Sequence, residues 1–277
     1  MNEIVITPYG GLANRMRALN AAIEFAKAEG SRLRVKWFSN RELNAPYDAL
    51  FTPPDYELVT IENGGFLDRF IYRSPRRHTL WLPYIIAPHY FDTRIYTSDF
   101  VKLREQGLLE DTIRKGRRVV IESCHEFGDY YSSLSQNFIP VPDILTAVEE
   151  YVARYFKPTT VGIHIRRTDN GPSIQKSPLS LFEDAIEREI ASCADVNFYV
   201  ATDDFATKAL LRKRYGDRIL TYDADCSRTS VAGMKDAVKE MWLLSRTARI
   251  YGCFYSSYAV IASKLSNIPL QILQIDE

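Results

Sequence analysis

The 277-residue sequence has no apolar run near the ~20 residues that a membrane-spanning helix needs. Cysteine is scarce, and the four residues (Cys124, Cys193, Cys226 and Cys253) lie far apart, without a C-x-x-C pair. This spacing argues against a structural zinc site and against a disulfide framework. The segment MNEIVITPYGG lacks the basic and long apolar regions of a secretory signal. We therefore expect a reduced, cytoplasmic compartment.

The formal net charge is zero, because 35 Lys and Arg residues balance 35 Asp and Glu residues. The balance holds on both sides of Lys157, with 20 basic and 20 acidic residues up to it and 15 of each after it. Neither part has the positive excess that is typical of binding to nucleic acid or to anionic membranes. With 46% hydrophobic and 25% charged residues, the composition is that of a folded globular protein.

Strand and helix patterns alternate, which is typical of parallel sheets with crossover helices. Before Lys157 the predicted strands are 4–7, 33–37 and 118–122, and the predicted helices are one that ends at Gly30 and one over 143–156. No elements are predicted over 41–116. After Pro158 the predicted strands are 161–165, 197–202, 218–222, 249–253 and 270–275, and the predicted helices are 178–191, 205–215, 235–246 and 257–265.

The predicted fold class is therefore α/β, with two Rossmann-like domains that face a cleft. The predicted boundary is Lys157-Pro158, because proline disfavours helix at the preceding residue. The domains are 1–157 and 158–277.

The loop GGLANRMR, which begins at Gly10, follows the first predicted strand. Ligands of parallel sheets bind at the carboxyl ends of strands, where helix N-termini present free N–H groups. The loop matches neither G-x-G-x-x-G nor a Walker A motif, so neither a dinucleotide nor ATP is indicated. Two interpretations stay open: an anion-binding loop, and a tight turn with solvated arginines.

The segment HIRRTD spans the end of the strand 161–165. Strand alternation places His164 and Arg166 on one face, and a planar guanidinium at a strand end fits a diphosphate. The alternatives are that Arg166 pairs with a nearby aspartate and that His164 is a satisfied core residue. The adjacent Arg167 favours the diphosphate.

Other polar residues follow strands or lie on helices. Either Asp203 or Asp204 is expected to cap the helix that follows them. Ser256 and Ser257 open the last predicted helix and either cap it or hold phosphate. Glu240 interrupts an apolar helix surface and is otherwise a solvated charge.

A D-x-D pattern at Asp223 and Asp225 follows a predicted strand. Such a pair can chelate Mn²⁺ with a sugar nucleotide, because divalent cations prefer carboxylate oxygens. Ordinary loop carboxylates are the alternative.

Taken together, GGLANRMR, HIRRTD, FYVATDD and the paired serines of FYSSYA resemble the GDP-fucose-dependent fucosyltransferases. The C-terminal segments are most similar to the α1,6-fucosyltransferase and nodulation fucosyltransferase branch. The glycine loop is also similar to that of protein O-fucosyltransferases and bacterial α1,2-fucosyltransferases. The resemblance implies a GT-B-like fold, a GDP-fucose donor, inversion at the sugar carbon, and no metal or other cofactor.

The resemblance also implies roles for individual residues. Arg166 would hold the β-phosphate, His164 and Glu240 would read guanine, and Asn14 and Arg15 would face the fucose and the transfer site. We predict Arg166, Asn14 and Asp169 as the catalytic residues. The implied GDP-sugar-binding residues are Gly11, Arg15, His164, Arg167, Asp203, Glu240, Ser256 and Ser257.

The sequence departs from the α1,6 branch after RRTD, where that branch has a lysine and then an acidic residue. Asn170 and Ile174 occupy these places. The branch's catalytic carboxylate and its acceptor are therefore not carried over. The remaining candidates for the general base are Asp169, Glu126 and Asp129, each of which could equally be a solvated charge or a cap, and Asn14 is an alternative positioning residue.

The sequence thus predicts a glycosyltransferase that uses GDP-fucose or another GDP-sugar and a glycan or glycolipid acceptor, without a nucleic-acid partner. The N-terminal domain is the expected acceptor side. Two other functions stay open: a metal-dependent transferase that uses Asp223 and Asp225, and a non-catalytic nucleotide-sugar-binding protein. The Tyr- and Arg-rich stretch from Arg69 to Tyr96 could form the acceptor side, a transient membrane contact or a small aromatic core.

Overall fold

A computed structural model describes residues 2–74, 82–128, 131, 133–168, 170–222 and 227–275, with the backbone alone at 82–83. The chain forms two compact units. The first comprises Met1–Ile139 and Arg228–Val231, and the second comprises Pro140–Ser227 and Ala232–Glu277. Each unit contains a five-stranded sheet whose strands pair in parallel. The predicted α/β class with two Rossmann-like units is confirmed.

The first unit has the strand order β4-β2-β1-β6-β5. Its elements are β1 (Glu3–Pro8), α1 (Leu12–Glu29), β2 (Arg32–Trp37), β3 (Phe51–Thr52), β4 (Val59–Asn63), α2 (Asp68–Tyr72), α3 (Leu82–Tyr90), β5 (Thr93–Ile95), α4 (Thr97–Glu105), α5 (Leu109–Lys115), β6 (Arg118–Ser123) and α6 (Leu134–Asn137). Gly30 ends α1 as predicted, with the left-handed φ of 58° that glycine adopts readily. A two-stranded sheet pairs β3 with β7 (Ile139–Pro140).

The second unit has the strand order β10-β9-β8-β11-β12. Its further elements are α7 (Pro142–Tyr155), β8 (Val161–Ile165), α8 (Gly171–Lys176), α9 (Leu179–Ser192), β9 (Phe198–Thr202), α10 (Phe205–Tyr215), β10 (Ile219–Leu220), α11 (Val231–Ser245), β11 (Ile250–Cys253), α12 (Ser257–Ser266) and β12 (Leu270–Leu273). Apolar residues of β8 and β9 pack in one core with Phe182 and Ile186 of α9. The central strands are buried on both faces, which explains why they read as apolar runs.

The units divide between Ile139 and Pro140, earlier in the chain than the predicted boundary at Lys157. The helix α7 belongs to the second unit, where Tyr151 donates a hydrogen bond to the carbonyl of Thr221 at 3.1 Å. Proline ends this helix, but side-chain packing decides the unit to which the helix belongs.

The Tyr- and Arg-rich stretch contributes a small aromatic core in its described part. The rings of Tyr72 and Phe91 lie 5.8 Å apart and pack with Val5 and Val120 of the sheet. Tyr84 is exposed. Over the described ranges of the chain, no helix combines the length and the apolar character that crossing a membrane requires.

Candidate functional site

The carboxyl edge of the sheet in the second unit contains a topological switch point. β9 and β10 lie on one side of β8, whereas β11 and β12 lie on the other. Ligands of open parallel sheets bind where the strand order reverses in this way. The described residues after β8 (166–168 and 170) and after β11 (254–256) therefore border the candidate site.

Arg166 follows β8 directly, and its orientation is set by Asp203 after the neighbouring strand β9. Arg166 Nε lies 3.2 Å from Asp203 Oδ2. The same carboxylate accepts hydrogen bonds from the Arg167 backbone N–H at 2.8 Å and from the Thr168 hydroxyl at 2.6 Å. Three consecutive residues of the loop are thus fixed by one side chain. The sequence had left open that Arg166 pairs with a nearby aspartate, and Asp203 is such a partner. The expected contact of Asp203 with the GDP-sugar stays a prediction.

The next residue, Asp204, caps α10. Its carboxylate accepts hydrogen bonds from the backbone N–H groups of Ala206 and Thr207 and from the Thr207 hydroxyl. The bonds from Thr207 hold the pKa of Asp204 below its usual range. The prediction that one of the two aspartates caps this helix is confirmed.

His164 is buried at the end of β8, between residues of β11 and α12. Its ring stacks on Tyr258 at a centroid distance of 4.9 Å, and Nδ1 lies 3.8 Å from the Cys253 sulfur. Burial, and to a smaller extent the nearby Arg166, lowers the pKa of His164 from 6.5 to about 4. The imidazole is therefore neutral at pH 7 and acts there through hydrogen bonds and ring contacts.

This burial has a consequence for stability against pH. Between pH 6.5 and about 4 the unfolded chain takes up a proton at residue 164 that the folded chain refuses. The free energy of unfolding should therefore fall as the pH drops through this window, by up to about 1.4 kcal/mol per pH unit from this group. Urea unfolding of the wild type and of His164→Gln across pH 4.5–7.5 measures the slope. Parallel pH profiles for the two proteins would contradict this origin.

Glu240 is buried on α11 and contacts Lys208 of α10, with 3.3 Å between Glu240 Oε1 and Lys208 Nζ. Lys208 also donates to the carbonyl of Tyr222 at 3.1 Å. The alternative of a solvated charge is thus wrong for Glu240. One turn earlier on α11, the carbonyl of Ala237 accepts a hydrogen bond from the Tyr258 hydroxyl at 2.5 Å, so this helix face adjoins the ring that stacks on His164.

Ser256 is the N-cap residue of α12, and its side chain makes no capping hydrogen bond within the described part of the chain. The Asn170 amide joins this loop to the one after β8, because its Nδ2 donates to the carbonyl of Tyr255 at 3.0 Å. The Asn170 side-chain oxygen also caps α8 by accepting from the Ser173 N–H. The sequence marked Asn170 only as a departure from the resembled branch, and this tie between the two loops is visible only in the structure.

The glycine loop of the first unit lies after β1, between the neighbouring strands β2 and β6 at the switch point of that sheet. Gly10 has a φ of 84°, and a Cβ there would lie 3.1 Å from the Asn14 amide nitrogen. A Cβ on Gly11 would meet no atom within 4 Å. The side of Gly11 is thus open, as close approach of a ligand to the backbone requires.

Arg15 is completely buried and is engaged by the protein itself. Its guanidinium donates to the carbonyls of Gly10 at 2.8 Å and Phe38 at 2.7 Å and to the Asn40 side-chain oxygen at 2.9 Å. Burial lowers the pKa of Arg15 to about 10, which leaves it charged at pH 7. These bonds join Arg15 to the glycine loop and to the segment after β2. The expected contact of Arg15 with fucose stays a prediction.

The candidates for the general base are only partly described. Glu126 forms an ion pair with Arg17 at 3.2 Å. Asp129 and Asp169 lie outside the described residues, as do the D-x-D residues Asp223 and Asp225. Within the described ranges, no group of three His, Cys, Asp or Glu side chains is arranged to hold a metal ion.

No protein-family model and no curated protein sequence matches this chain. Its fold is similar to solved structures of fucosyltransferases. One of them is NodZ α1,6-fucosyltransferase, which has been solved from Bradyrhizobium. The NodZ structure soaked with GDP-fucose has a TM-score of 0.68 and 17% identity, over 96% of this chain and 93% of NodZ. POFUT1 in complex with GDP-fucose has a TM-score of 0.63 and 11% identity over 99% of both chains. A FUT1 variant from Arabidopsis thaliana in complex with GDP has a TM-score of 0.65 and 16% identity over 100% of this chain and 71% of FUT1. The similarity confirms the expected GT-B-like fold.

Proposed function

We propose that this chain is a glycosyltransferase that moves fucose from GDP-fucose to a glycan or glycolipid acceptor, with inversion at the sugar carbon and without a metal ion. The observation that carries the proposal is Arg166, held by Asp203 at the switch point of the second unit. The fold is that of fucosyltransferases solved with GDP or GDP-fucose, which supports the same donor here.

The chemistry asks for positive charge that is fixed before the reaction. Cleavage of the bond between sugar and phosphate leaves negative charge on the departing GDP. A rigid guanidinium stabilises the transition state, in which this charge develops, more than it stabilises the ground state. Arg166 supplies the guanidinium, and Asp203 restricts its movement. The N–H groups at the start of α12, next to Ser256 and Ser257, supply further donors for phosphate oxygens.

Recognition of guanine is assigned to His164 and Glu240. A carboxylate accepts hydrogen bonds from the N1–H and the amino group of guanine, which adenine and uracil do not present together. The burial of Glu240 favours such a contact, because hydrogen bonds to a charged acceptor gain strength away from water. Lys208 pairs with this carboxylate, with 3.3 Å between Nζ and Oε1.

The acceptor is assigned to the N-terminal unit. In this unit the open side of Gly11 is the proposed contact for the GDP-sugar, and Asn14 is the proposed residue at the transfer site. Asp169 stays the candidate for the general base because it follows the Arg166 loop directly in sequence. The proposed mechanism routes no step through a metal ion.

A thermal-shift panel in EDTA tests the donor class. GDP at a hundred times its dissociation constant should stabilise the protein by about 2.7 kcal/mol, whereas UDP and ADP at the same concentration should give much smaller shifts. A rise in melting temperature with UDP but not with GDP would contradict the proposal. A shift with GDP that needs added Mn²⁺ would instead favour the metal-dependent alternative, and GDP binding without turnover of GDP-fucose would favour the non-catalytic one.

A further inference from the structure

The backbone of Tyr255 has an unusual conformation. Among the described residues other than glycine, only Tyr255 (φ 55°) and Asn267 (φ 52°) have a positive φ. Asn267 follows the last turn of α12, where asparagine commonly adopts this conformation. Tyr255 lies before the N-cap of the same helix, where no such preference exists. The left-handed region is unfavourable for a residue with a side chain, so the surrounding structure has to hold Tyr255 in it.

Two hydrogen bonds hold the backbone around Tyr255. The Asn170 amide donates to the Tyr255 carbonyl at 3.0 Å, and the Phe254 N–H donates to the Ser177 hydroxyl at 2.8 Å. The Ser177 hydroxyl is buried and donates to the carbonyl of Leu273 at 2.6 Å. The strained conformation is therefore fixed from the loop after β8 and from β12.

The strain does not serve to bury the side chain. Tyr255 is 77% exposed, and its ring lies 6.0 Å from that of Phe254 in a tilted arrangement. A single exposed aromatic residue is ordinary on a protein surface. An exposed aromatic residue whose strained backbone is fixed next to a candidate ligand site is more informative, because strain persists mainly where function uses it.

We propose that Tyr255 is a substrate-contacting residue whose ring packs against the apolar face of a sugar ring beside the diphosphate site. The proposal rests on the proposed function and extends it to carbohydrate recognition. A tyrosine suits this task, because its ring offers a flat apolar surface and its hydroxyl can bond to sugar hydroxyls. The sugar is either that of the donor or that of the acceptor, and the two sources are separated by experiment.

The test compares Tyr255→Ala, Tyr255→Phe and the wild type. All three should bind GDP equally, because the nucleotide and its phosphates do not need the ring. If the ring contacts the donor sugar, Tyr255→Ala should bind GDP-fucose about tenfold more weakly, which corresponds to about 1.4 kcal/mol. If the ring contacts the acceptor, GDP-fucose affinity should be unchanged, and fucose transfer to a glycan array should fall about tenfold at low acceptor density. Tyr255→Phe should keep most of either activity.

Relief of the strain supplies a matched control. Tyr255→Gly and Asn267→Gly both remove the penalty of a positive φ, so both should raise the melting temperature by a few degrees. Only Tyr255→Gly should also lose carbohydrate recognition. If Tyr255→Ala equals the wild type in GDP-fucose affinity and in transfer, the inference is wrong while the proposed function stands. If the wild type does not bind GDP, the proposed function itself fails.

Discussion

Replacing Arg166 with alanine is expected to lower the turnover of GDP-fucose by about 10²–10³-fold, the usual loss when one fixed donor to a developing negative charge is removed. Arg166 lies at the end of β8, at the switch point of the sheet, and its side chain is 20% exposed. Its salt bridge with Asp203 restricts the guanidinium before a ligand arrives. The loss should therefore appear mainly in kcat, with a smaller effect on GDP affinity.

The release of GDP from GDP-fucose measures this effect for three variants. Arg166→Lys should have an intermediate rate, because one ammonium group cannot keep the bond to Asp203 and also match a phosphate with two parallel bonds. Arg214→Ala is the matched control, since Arg214 pairs with Glu183 on the surface of the same unit and is half exposed. Turnover of Arg166→Ala at the wild-type rate would remove Arg166 from the site.

The regular part of the fold could be read from the sequence because its strands are buried on both faces. β8 and α10 begin and end at the predicted residues, and the aspartate cap of α10 was expected. Apolar runs bounded by polar residues at strand ends leave a clear pattern in such sheets. The same pattern placed Arg166 at a strand end.

Residues 41–116 carry no such pattern, because their elements are short and depend on distant contacts. β3 has two residues and α2 has five. Within this range, Glu62 of β4 pairs with a residue outside it: Glu62 Oε2 lies 2.6 Å from Nζ of Lys36, a nearly buried residue of β2. Nothing in the local sequence around Lys36 distinguishes this buried lysine from a solvated one, since its partner comes from another strand.

In the candidate site, too, some features could be predicted from the sequence and others could not. The position of a residue at a strand end, such as Arg166, could be predicted from alternation alone. The contacts of Arg15 and the conformation of Tyr255 could not, because they depend on distant carbonyl and amide groups and on one backbone angle. From the sequence alone, an arginine in a glycine loop is expected to contact a ligand. The hydrogen bond from Arg15 to the Phe38 carbonyl is visible only in the structure.

Replacing Arg15 with methionine should lower the free energy of unfolding by about 3 kcal/mol or more, a large share of the 5–15 kcal/mol that typical domains have. The loss follows from the groups that Arg15 leaves behind. The Gly10 carbonyl, the Phe38 carbonyl and the Asn40 side-chain oxygen would each lose a charged donor, at about 1–3 kcal/mol for each buried group left unsatisfied. Methionine is chosen because it keeps much of the apolar volume beside Trp37.

Urea unfolding separates this account of Arg15 from the role implied by the family resemblance. The control is Arg34→Met, which removes a partly exposed ion pair with Glu3 and should cost less than about 1 kcal/mol. If Arg15 were a ligand contact, Arg15→Met would keep its stability and lose turnover. If Arg15 instead positions the glycine loop, stability falls first, and any loss of turnover follows from displacement of Gly10 and Gly11. A stable, inactive Arg15→Met variant would therefore return Arg15 to the binding site.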